Sequence, residues 1–563
     1  MEFINICIAQ LNFTVGDLEG NAEKILEVWR SKDEEAHLVV FPELSISGYP
    51  PQDLLFDRGF LKECQRQLER IVEFSKSLNS TAVLGMPYYD GELFNSLVLV
   101  GRGKVFGIYH KTFLPNYSVF DEKRYFRSGS RPLMLSINGV KLGFSVCEDV
   151  WHPDGWERYY ALCGAEVLIN INASPYYANK YSFKENFLKA RAQDNLAYVV
   201  YVNLVGAQDE LVFDGRSLII DPEGKVIYRA KAFEESVKTV SLPLSKVRAK
   251  RLMDLRLRER PTECPSVENI LDQRRLEYFQ ATLEPSPQGE EEIYNALLLG
   301  LKDYFYKNSF KKAVLGLSGG IDSALVACLA ADALGKEKVV GVFMPSQYTS
   351  EESKRYVLEL SKNLGIELLT YPIDPIFESY KDSLGSKELT VAEENLQARI
   401  RANILFYLSN KHGWLVLSTS NKSESAVGYT TIYGDMAGGF APIKDVYKTL
   451  VYKLAKYRNS IKPDIPEGLF TRPPTAELRP NQTDQDTLPP YAVLDRILEL
   501  YIEEGYTFEE IVKEGFDKEL VRKVLEMLRK AEYKRKQAPI GTKISKRAFG
   551  SDWRMPLINF WRG

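Results

Sequence analysis

The chain has 563 residues, 45% apolar and 26% charged, with 73 Lys plus Arg against 76 Asp plus Glu and a formal net charge of -3. That length exceeds what one hydrophobic core sustains, about 250–300 residues, so two large domains are expected. The composition excludes wholesale disorder. The near-neutral balance excludes a global field that would gather nucleic acid or an acidic membrane surface, so any phosphate binding must be local.

From residue 3 to about 245, short apolar runs alternate with amphipathic stretches: Leu38 to Phe41, Thr81 to Gly85, Leu142 to Val146, Val167 to Asn170 and Tyr198 to Val202. Runs of this kind predict strands buried on both faces of a sheet, with helices covering it. Ser217 to Ile220 and Lys225 to Tyr228, joined by Asp221-Pro222-Glu223-Gly224, predict a hairpin at the sheet edge. Between about Arg260 and residue 289 the pattern weakens into Pro-rich and charged sequence, which predicts a linker. Beyond it Ile293, Leu297, Leu301, Tyr304 and Phe305 recur at helical spacing. A strand over Ala313 to Leu317, a glycine loop, a helix over Ala324 to Leu334 and a strand over Val339 to Phe343 then form a β-loop-α-β unit. The expected division is 1–259, a linker 260–289, and an α/β parallel-sheet domain 290–563.

Six cysteines, Cys7, Cys64, Cys147, Cys163, Cys264 and Cys328, show no CxxC pairing and suggest neither a disulfide framework nor a zinc ribbon. All but Cys147 read as small buried apolar side chains. The N-terminal sequence lacks the pattern of a signal peptide, and no stretch has the ~20 apolar residues that span a bilayer. A reducing, cytoplasmic setting is the expectation.

Two segments carry chemistry. Ser318-Gly319-Gly320-Ile321-Asp322-Ser323 lies between a strand and a helix, where unpaired backbone N–H groups and glycines admit a phosphate. The loop lacks the lysine of a GxxxxGK[ST] motif. Cys147 ends an apolar strand and is followed by Glu148-Asp149. As a nucleophile it would need a nearby cation or base. Two other strand ends offer them, in Phe41-Pro42-Glu43 and in His110-Lys111-Thr112-Phe113-Leu114-Pro115. Read singly, a Glu and a Lys there are an ordinary ion pair, and His110 and His152 read as structural.

Taken together and in this order, these three segments resemble the nitrilase superfamily over residues 1–245. The resemblance implies an αββα sandwich and amide cleavage through a thioester, with Glu43 as general base, Lys111 as oxyanion stabiliser and Cys147 as nucleophile. It further implies a glutamine pocket lined by Tyr117, Ser174 and Lys180. The second segment resembles the ATP-pyrophosphatase loop of adenylating enzymes. Leu417 to Glu424 and Tyr433 to Asp445 resemble the NAD synthetases among them, in a Rossmann-like α/β domain. By that resemblance Gly316, Leu317, Ser318, Gly319, Gly320, Ile321, Asp322, Ser323 and Thr419 would bind ATP, and Asp322 and Glu424 would hold Mg2+. Asn395, Glu424, Lys534 and Lys536 would face deamido-NAD, and Lys444 would neutralise the departing pyrophosphate. Asn395, Arg399 and Asn403 share one face of a predicted helix, which read by itself is a solvated or helix-packing face. The Gly-rich stretch 428–442 reads as a lid or as a surface loop.

The tandem of the two resembles the glutamine-dependent NAD synthetases. The implied partners are glutamine, ATP and deamido-NAD, with neither nucleic acid nor membrane, in a homo-oligomer. Three alternatives remain at this stage: an enzyme amidating another carboxylate, a non-catalytic first domain served by external ammonia, and sulfur transfer to tRNA.

Overall fold

A computed structural model describes residues 1–259, 261, 263–480 and 482–561. Arg260 and Thr262 of the expected linker, and Asn481, Arg562 and Gly563 of the expected second domain, lie outside the described residues. The chain divides into two compact units: residues 1–208 with 212–287, and residues 288–563 with 209–211.

The first unit is built on two sheets. One runs in the order Ser236–Pro243, Phe3–Gln10, Leu38–Val40, Thr81–Asp90, Glu92–Gly101, Lys104–His110. The other runs Val226–Arg229, Leu218–Ile220, Tyr198–Asn203, Val167–Asn172, Val140–Val146, Leu133–Ile137, Glu268–Ile270. Side chains of both sheets meet in one core that includes Ile6, Val40, Leu97, Phe144, Ile169 and Val200. Helices Leu18–Lys32 and Arg58–Phe74 belong to the first sheet's side, while Trp156–Leu162 and Lys180–Asn195 cover the second. The four layers make the αββα sandwich. Each predicted strand forms, and Leu218–Ile220 pairs antiparallel with Val226–Arg229, which is the sheet edge.

Two features depart from the sequence reading. The stretch expected as a linker packs on this unit: Glu268–Ile270 adds a parallel strand beside Leu133–Ile137, and the Phe279 amide donates to Ser241 Oγ. A strand of only three residues has too little periodicity to be seen in the sequence. Cys163 and Cys264, read as free and apolar, form a disulfide with their Cα atoms 5.6 Å apart. Their separation of 101 residues hid a pairing that only the fold creates. Cys7, Cys64, Cys147 and Cys328 are free and buried.

The second unit carries a parallel sheet ordered Glu367–Thr370, Val339–Phe343, Ala313–Gly316, Leu415–Leu417. Chain order reverses at Ala313–Gly316, which pairs with Leu415–Leu417 on one side and Val339–Phe343 on the other. In doubly wound sheets ligands bind outside the carboxyl ends of strands at this switch point. A helical subdomain holds its own core around Leu494, Leu498, Val524 and Leu528. No helix among the described residues is long and apolar enough to cross a membrane.

The disulfide is directly testable. Thiol titration of the denatured, unreduced protein is expected to find four reactive cysteines, and Cys163→Ser is expected to cost about 2–4 kcal/mol of stability. Six titrated thiols would refute the pairing.

Candidate active sites

The first site forms at strand ends of the sandwich. Glu43 follows Leu38–Val40, Lys111 follows Lys104–His110, and Cys147 follows Val140–Val146. The Glu43 loop lies so close to the neighbouring strand that a Cβ at Gly85 would stand 2.3 Å from the Leu44 nitrogen. Cys147 opens a one-turn helix, Cys147–Trp151, with φ of +46°. Left-handed backbone is unfavourable for a residue with a side chain, and such strain clusters at functional sites.

Lys111 is fully buried and its Nζ lies 2.8 Å from Glu43 Oε1 and 2.9 Å from Glu122 Oε1. Asn95 Nδ2 and the Ala173 amide also donate to Glu43, at 2.7 and 2.8 Å. Burial pulls the Lys111 ammonium down, but Glu122 and Glu43 outweigh it and hold it charged, well above the ordinary value. Burial pushes the Glu122 carboxyl up, against the pull of Lys111. The Cys147 thiol is also raised, chiefly by burial and then by Glu43, with Lys111 opposing. Lys111 thus favours the thiolate, but its ammonium is shared between two carboxylates and burial outweighs it.

Beside the triad, the Ser174 backbone amide donates to Asn203 Oδ1 at 2.9 Å, and its Oγ accepts from Lys180 Nζ at 2.8 Å. Tyr117 donates to both oxygens of Glu148, at 3.1 and 3.0 Å. His152 stacks on Phe113 and lies 3.6 Å from Glu148, while His110 bonds Ser96 and stacks on Phe94. Glu122 and Glu148 were not singled out in the sequence. Glu122 sits in a charged turn, Asp121 to Arg124, that reads as a solvated surface.

The second site is a cleft at the switch point, lined by residues 316–323 and 417–420, with Glu424, Asp435, Lys448 and Arg472. Helix Ile321–Leu334 points its N-terminus at the loop. Gly319 has φ of +80°, and a Cβ there would stand 2.8 Å from the Ser353 backbone, so the loop needs glycine. Asp322 accepts from Asn421 Nδ2 at 2.9 Å and pairs with Lys448, whose Nζ is also 3.2 Å from Glu424 Oε1. Burial works against the Lys448 charge, yet Asp322 and Glu424 raise it overall; burial likewise raises the Glu424 carboxyl. Arg472 reaches Ser353 Oγ at 2.7 Å and Glu477 at 2.6 Å beside the loop.

Asn395, an expected deamido-NAD contact, accepts from Thr431 Oγ1 at 2.7 Å, and Arg399 on the same helix face donates to the Ile432 carbonyl at 3.2 Å. Asn403 lies instead in a separate groove with Tyr371, Tyr380 and Tyr407. Lys534 donates to the Gly428 and Thr430 carbonyls, each at 2.7 Å, whereas Lys536 pairs with Glu532 at 4.0 Å. Stretch 428–442 is a hydrogen-bonded turn-rich loop joined to Val416 and Ile540. Asp435 within it is raised to about 6 by burial. Lys444 is half-buried and donates to the Pro539 carbonyl at 2.7 Å, outside the cleft lining, and desolvation lowers its ammonium. Lys448, one helical turn of sequence further on, is the lysine at the Asp322–Glu424 pair; nothing in the spacing alone distinguished the two.

Fold and family models together define a two-part enzyme, a carbon–nitrogen hydrolase domain joined to an NAD synthase α/β domain. Residues 5–252 match the carbon–nitrogen hydrolase family model, and residues 293–538 match that of NAD synthase. The chain is 60% identical over 562 residues to the glutamine-dependent NAD(+) synthetase of Aquifex aeolicus, covering 99% of each. It is 49% identical over 570 residues to that of Thermotoga maritima, again covering 99% of each. The solved glutamine-dependent NAD+ synthetase of Acinetobacter baumannii, in complex with ADP, superposes with a TM-score of 0.75 at 36% identity, covering 99% of both chains. The chain belongs to the glutamine-dependent NAD(+) synthetase family. It is a ligase with a glutaminase domain and an NAD synthase domain.

Two measurements test the geometry. Alkylation of Cys147 is expected to be slow at neutral pH and still accelerating above pH 9, the ordinary thiol value, because the raised pKa keeps the thiolate scarce. A plateau below pH 8 would contradict it. Lys448→Met leaves two buried carboxylates facing each other and is expected to cut ammonium-driven NAD formation by at least about 10²-fold. Activity within about twofold of wild type would remove Lys448 from the site.

Proposed function

We propose that Cys147 attacks the side-chain amide of glutamine, with Glu43 as general base and Lys111 opposite the developing oxyanion. The thiol proton passes through Glu43 to the leaving nitrogen, ammonia departs, and a glutamyl thioester remains. Water activated by Glu43 then releases glutamate and restores the thiol. The raised thiol supports this order, since a protonated nucleophile needs a base in contact with the site. Tyr117, Ser174 and Lys180 line the glutamine pocket, with Glu148 suited to a substrate ammonium group.

At the second site the loop 316–323 and Thr419 take ATP, with backbone N–H groups and the helix N-terminus directed at its phosphates. Among the described residues no group of three or more His, Cys, Asp and Glu side chains could hold a metal ion. Two carboxylates, Asp322 and Glu424, nonetheless suit Mg2+, which keeps waters and takes its other ligands from substrate phosphates. Bound there, Mg2+ would supply neutralisation of phosphate charge. Lys448 adds a fixed positive charge beside it, and Lys444 remains the further candidate for pyrophosphate. Asn395, Glu424 and Lys534 face deamido-NAD; the exposed, Glu532-paired Lys536 is the weaker contact.

The carboxylate of deamido-NAD is activated as an adenylate with loss of pyrophosphate, and ammonia displaces AMP to give NAD. Free ammonia is mostly ammonium at neutral pH and diffuses away, so a chain carrying both activities favours internal transfer of the product of one to the other. The observation that carries this reading is the Glu43–Lys111–Glu122 cluster beside Cys147, because a scaffold has no need of a buried ammonium at a strained cysteine. Functional boundaries at 1–259 and 290–563, a homo-oligomeric state and the absence of nucleic-acid partners belong to the same proposal. So does a cytoplasmic location, for which the need for ATP is the support, the cysteine argument having fallen with the disulfide.

The test compares wild type with Cys147→Ala in NAD formation from deamido-NAD, ATP and Mg2+, supplied with glutamine or with ammonium. The variant is expected to lose the glutamine-driven reaction and keep the ammonium-driven one. Normal use of glutamine by the variant would refute the triad, and no NAD from wild type with either source would refute the substrate.

A further inference from the structure

Asp149 bonds neither to Cys147 nor to Lys111, yet its carboxylate joins the residues on both sides of them. It is fully buried in the one-turn helix that Cys147 opens. Oδ1 accepts from the backbone amides of Thr112 at 3.1 Å and Phe113 at 2.8 Å, directly after Lys111. Oδ2 accepts from the Tyr109 hydroxyl at 2.7 Å and from the Val146 amide at 3.0 Å. Tyr109 stands two residues before Lys111, and Val146 is the residue before Cys147.

Two of the four donors lie in different sheets, and the other two, Thr112 and Phe113, lie in the loop that follows Lys104–His110. Tyr109 belongs to Lys104–His110, at the edge of the six-stranded sheet, and Val146 ends Val140–Val146 in the seven-stranded one. One carboxylate thus spans the interface between the layers at the level of the nucleophile. Thr112, bonded here through its amide, also receives Trp156 Nε1 on its hydroxyl at 2.9 Å and meets the Tyr109 hydroxyl at 3.1 Å. Burial raises the Asp149 carboxyl to about 7, with the Phe113 amide pulling it down and the Glu157 charge pushing it up. Four donors on one buried carboxylate are charge-assisted hydrogen bonds, stronger and more directional than neutral ones.

We propose that Asp149 is the positioning residue of the glutaminase site: it fixes the distance between the Lys111 ammonium and the Cys147 sulfur by tying both backbones to one carboxylate. The proposal rests on the triad reading above. It adds a role for a residue outside the triad, acting on the rate rather than on glutamine binding. The two catalytic groups sit on separate sheets, and a cysteine in left-handed backbone relaxes unless the surrounding structure over-determines it. A displacement of about 1 Å in such an arrangement costs on the order of 10²-fold in rate.

Asp149→Asn is nearly isosteric. Its amide oxygen can still accept from Thr112 and Phe113, but its NH2 faces the Val146 N–H, donor against donor. Glutamine hydrolysis is expected to fall by about 10²-fold in kcat, with KM for glutamine within about twofold of wild type. Tyr109→Phe removes a single donor without adding a repulsion, and is expected to lower kcat about three- to tenfold, again at constant KM. Ammonium-driven NAD formation, measured alongside, is expected to be unchanged in both. Wild-type kcat in Asp149→Asn would overturn the proposal, as would a rise in KM at constant kcat. If Asp149→Asn does not fold, Tyr109→Phe decides: wild-type kcat in that variant leaves Asp149 a structural role only. Cys147→Ala in the same assay separates the two readings. If it still hydrolyses glutamine, the triad fails; if it is inactive while Asp149→Asn is not, only the role of Asp149 fails.

Discussion

An ammonium group taken out of water costs several kcal/mol unless fixed negative charge replaces its hydration, and both sites of this chain are organised by that constraint. In the first unit Lys111 lies between Glu43 and Glu122; in the second Lys448 lies between Asp322 and Glu424. Each lysine is almost wholly buried, and each has two carboxylates against its one ammonium. The excess makes each cluster ready for additional positive charge or a proton. In the proposed function the first would take the proton of the raised Cys147 thiol and the second the charge of Mg2+.

The two folds bring such charges together differently. The groups of the first site stand at the ends of strands, where the sheet supplies rigid backbone, whereas Asp322, Glu424 and Lys448 stand in the first turns of three helices. Glu43, Lys111 and Cys147 each follow a different strand of a two-sheet sandwich, so their mutual geometry depends on how the sheets are held in register. The phosphate loop and the 417–420 segment follow two adjacent parallel strands, so their cleft is a consequence of strand order. The first arrangement needs a cross-layer tie such as Asp149, whereas the second is set by one sheet.

Much of this was legible along the chain. Apolar runs located the strands, because a strand buried on both faces has no polar positions to interrupt it. The segments around Glu43, Lys111 and Cys147, and the 318–323 loop, were visible because each places a candidate reactive residue or a glycine loop directly after such a run. The strand Glu268–Ile270 was not visible, being too short for a period and set in charged sequence. Asn395 and Asn403 share helical spacing, and the helix does carry both, but eight residues, about 12 Å of helix, separate them and Asn403 lines a different groove.

The sequence by itself determined the two-domain division, the fold class of each part and the local motifs, since these depend on residues near one another along the chain. Only the tertiary structure decided the pairing of Cys163 with Cys264, the second carboxylate Glu122 on Lys111, the choice of Lys448 over Lys444 at Asp322, and the four-way bonding of Asp149. Each of these joins residues distant in sequence, and a charged residue in a chain reads as solvated until a partner is brought to it. Burial then changes its meaning: the same glutamate that would face water in a turn becomes, once enclosed, half of the cage that keeps a lysine charged.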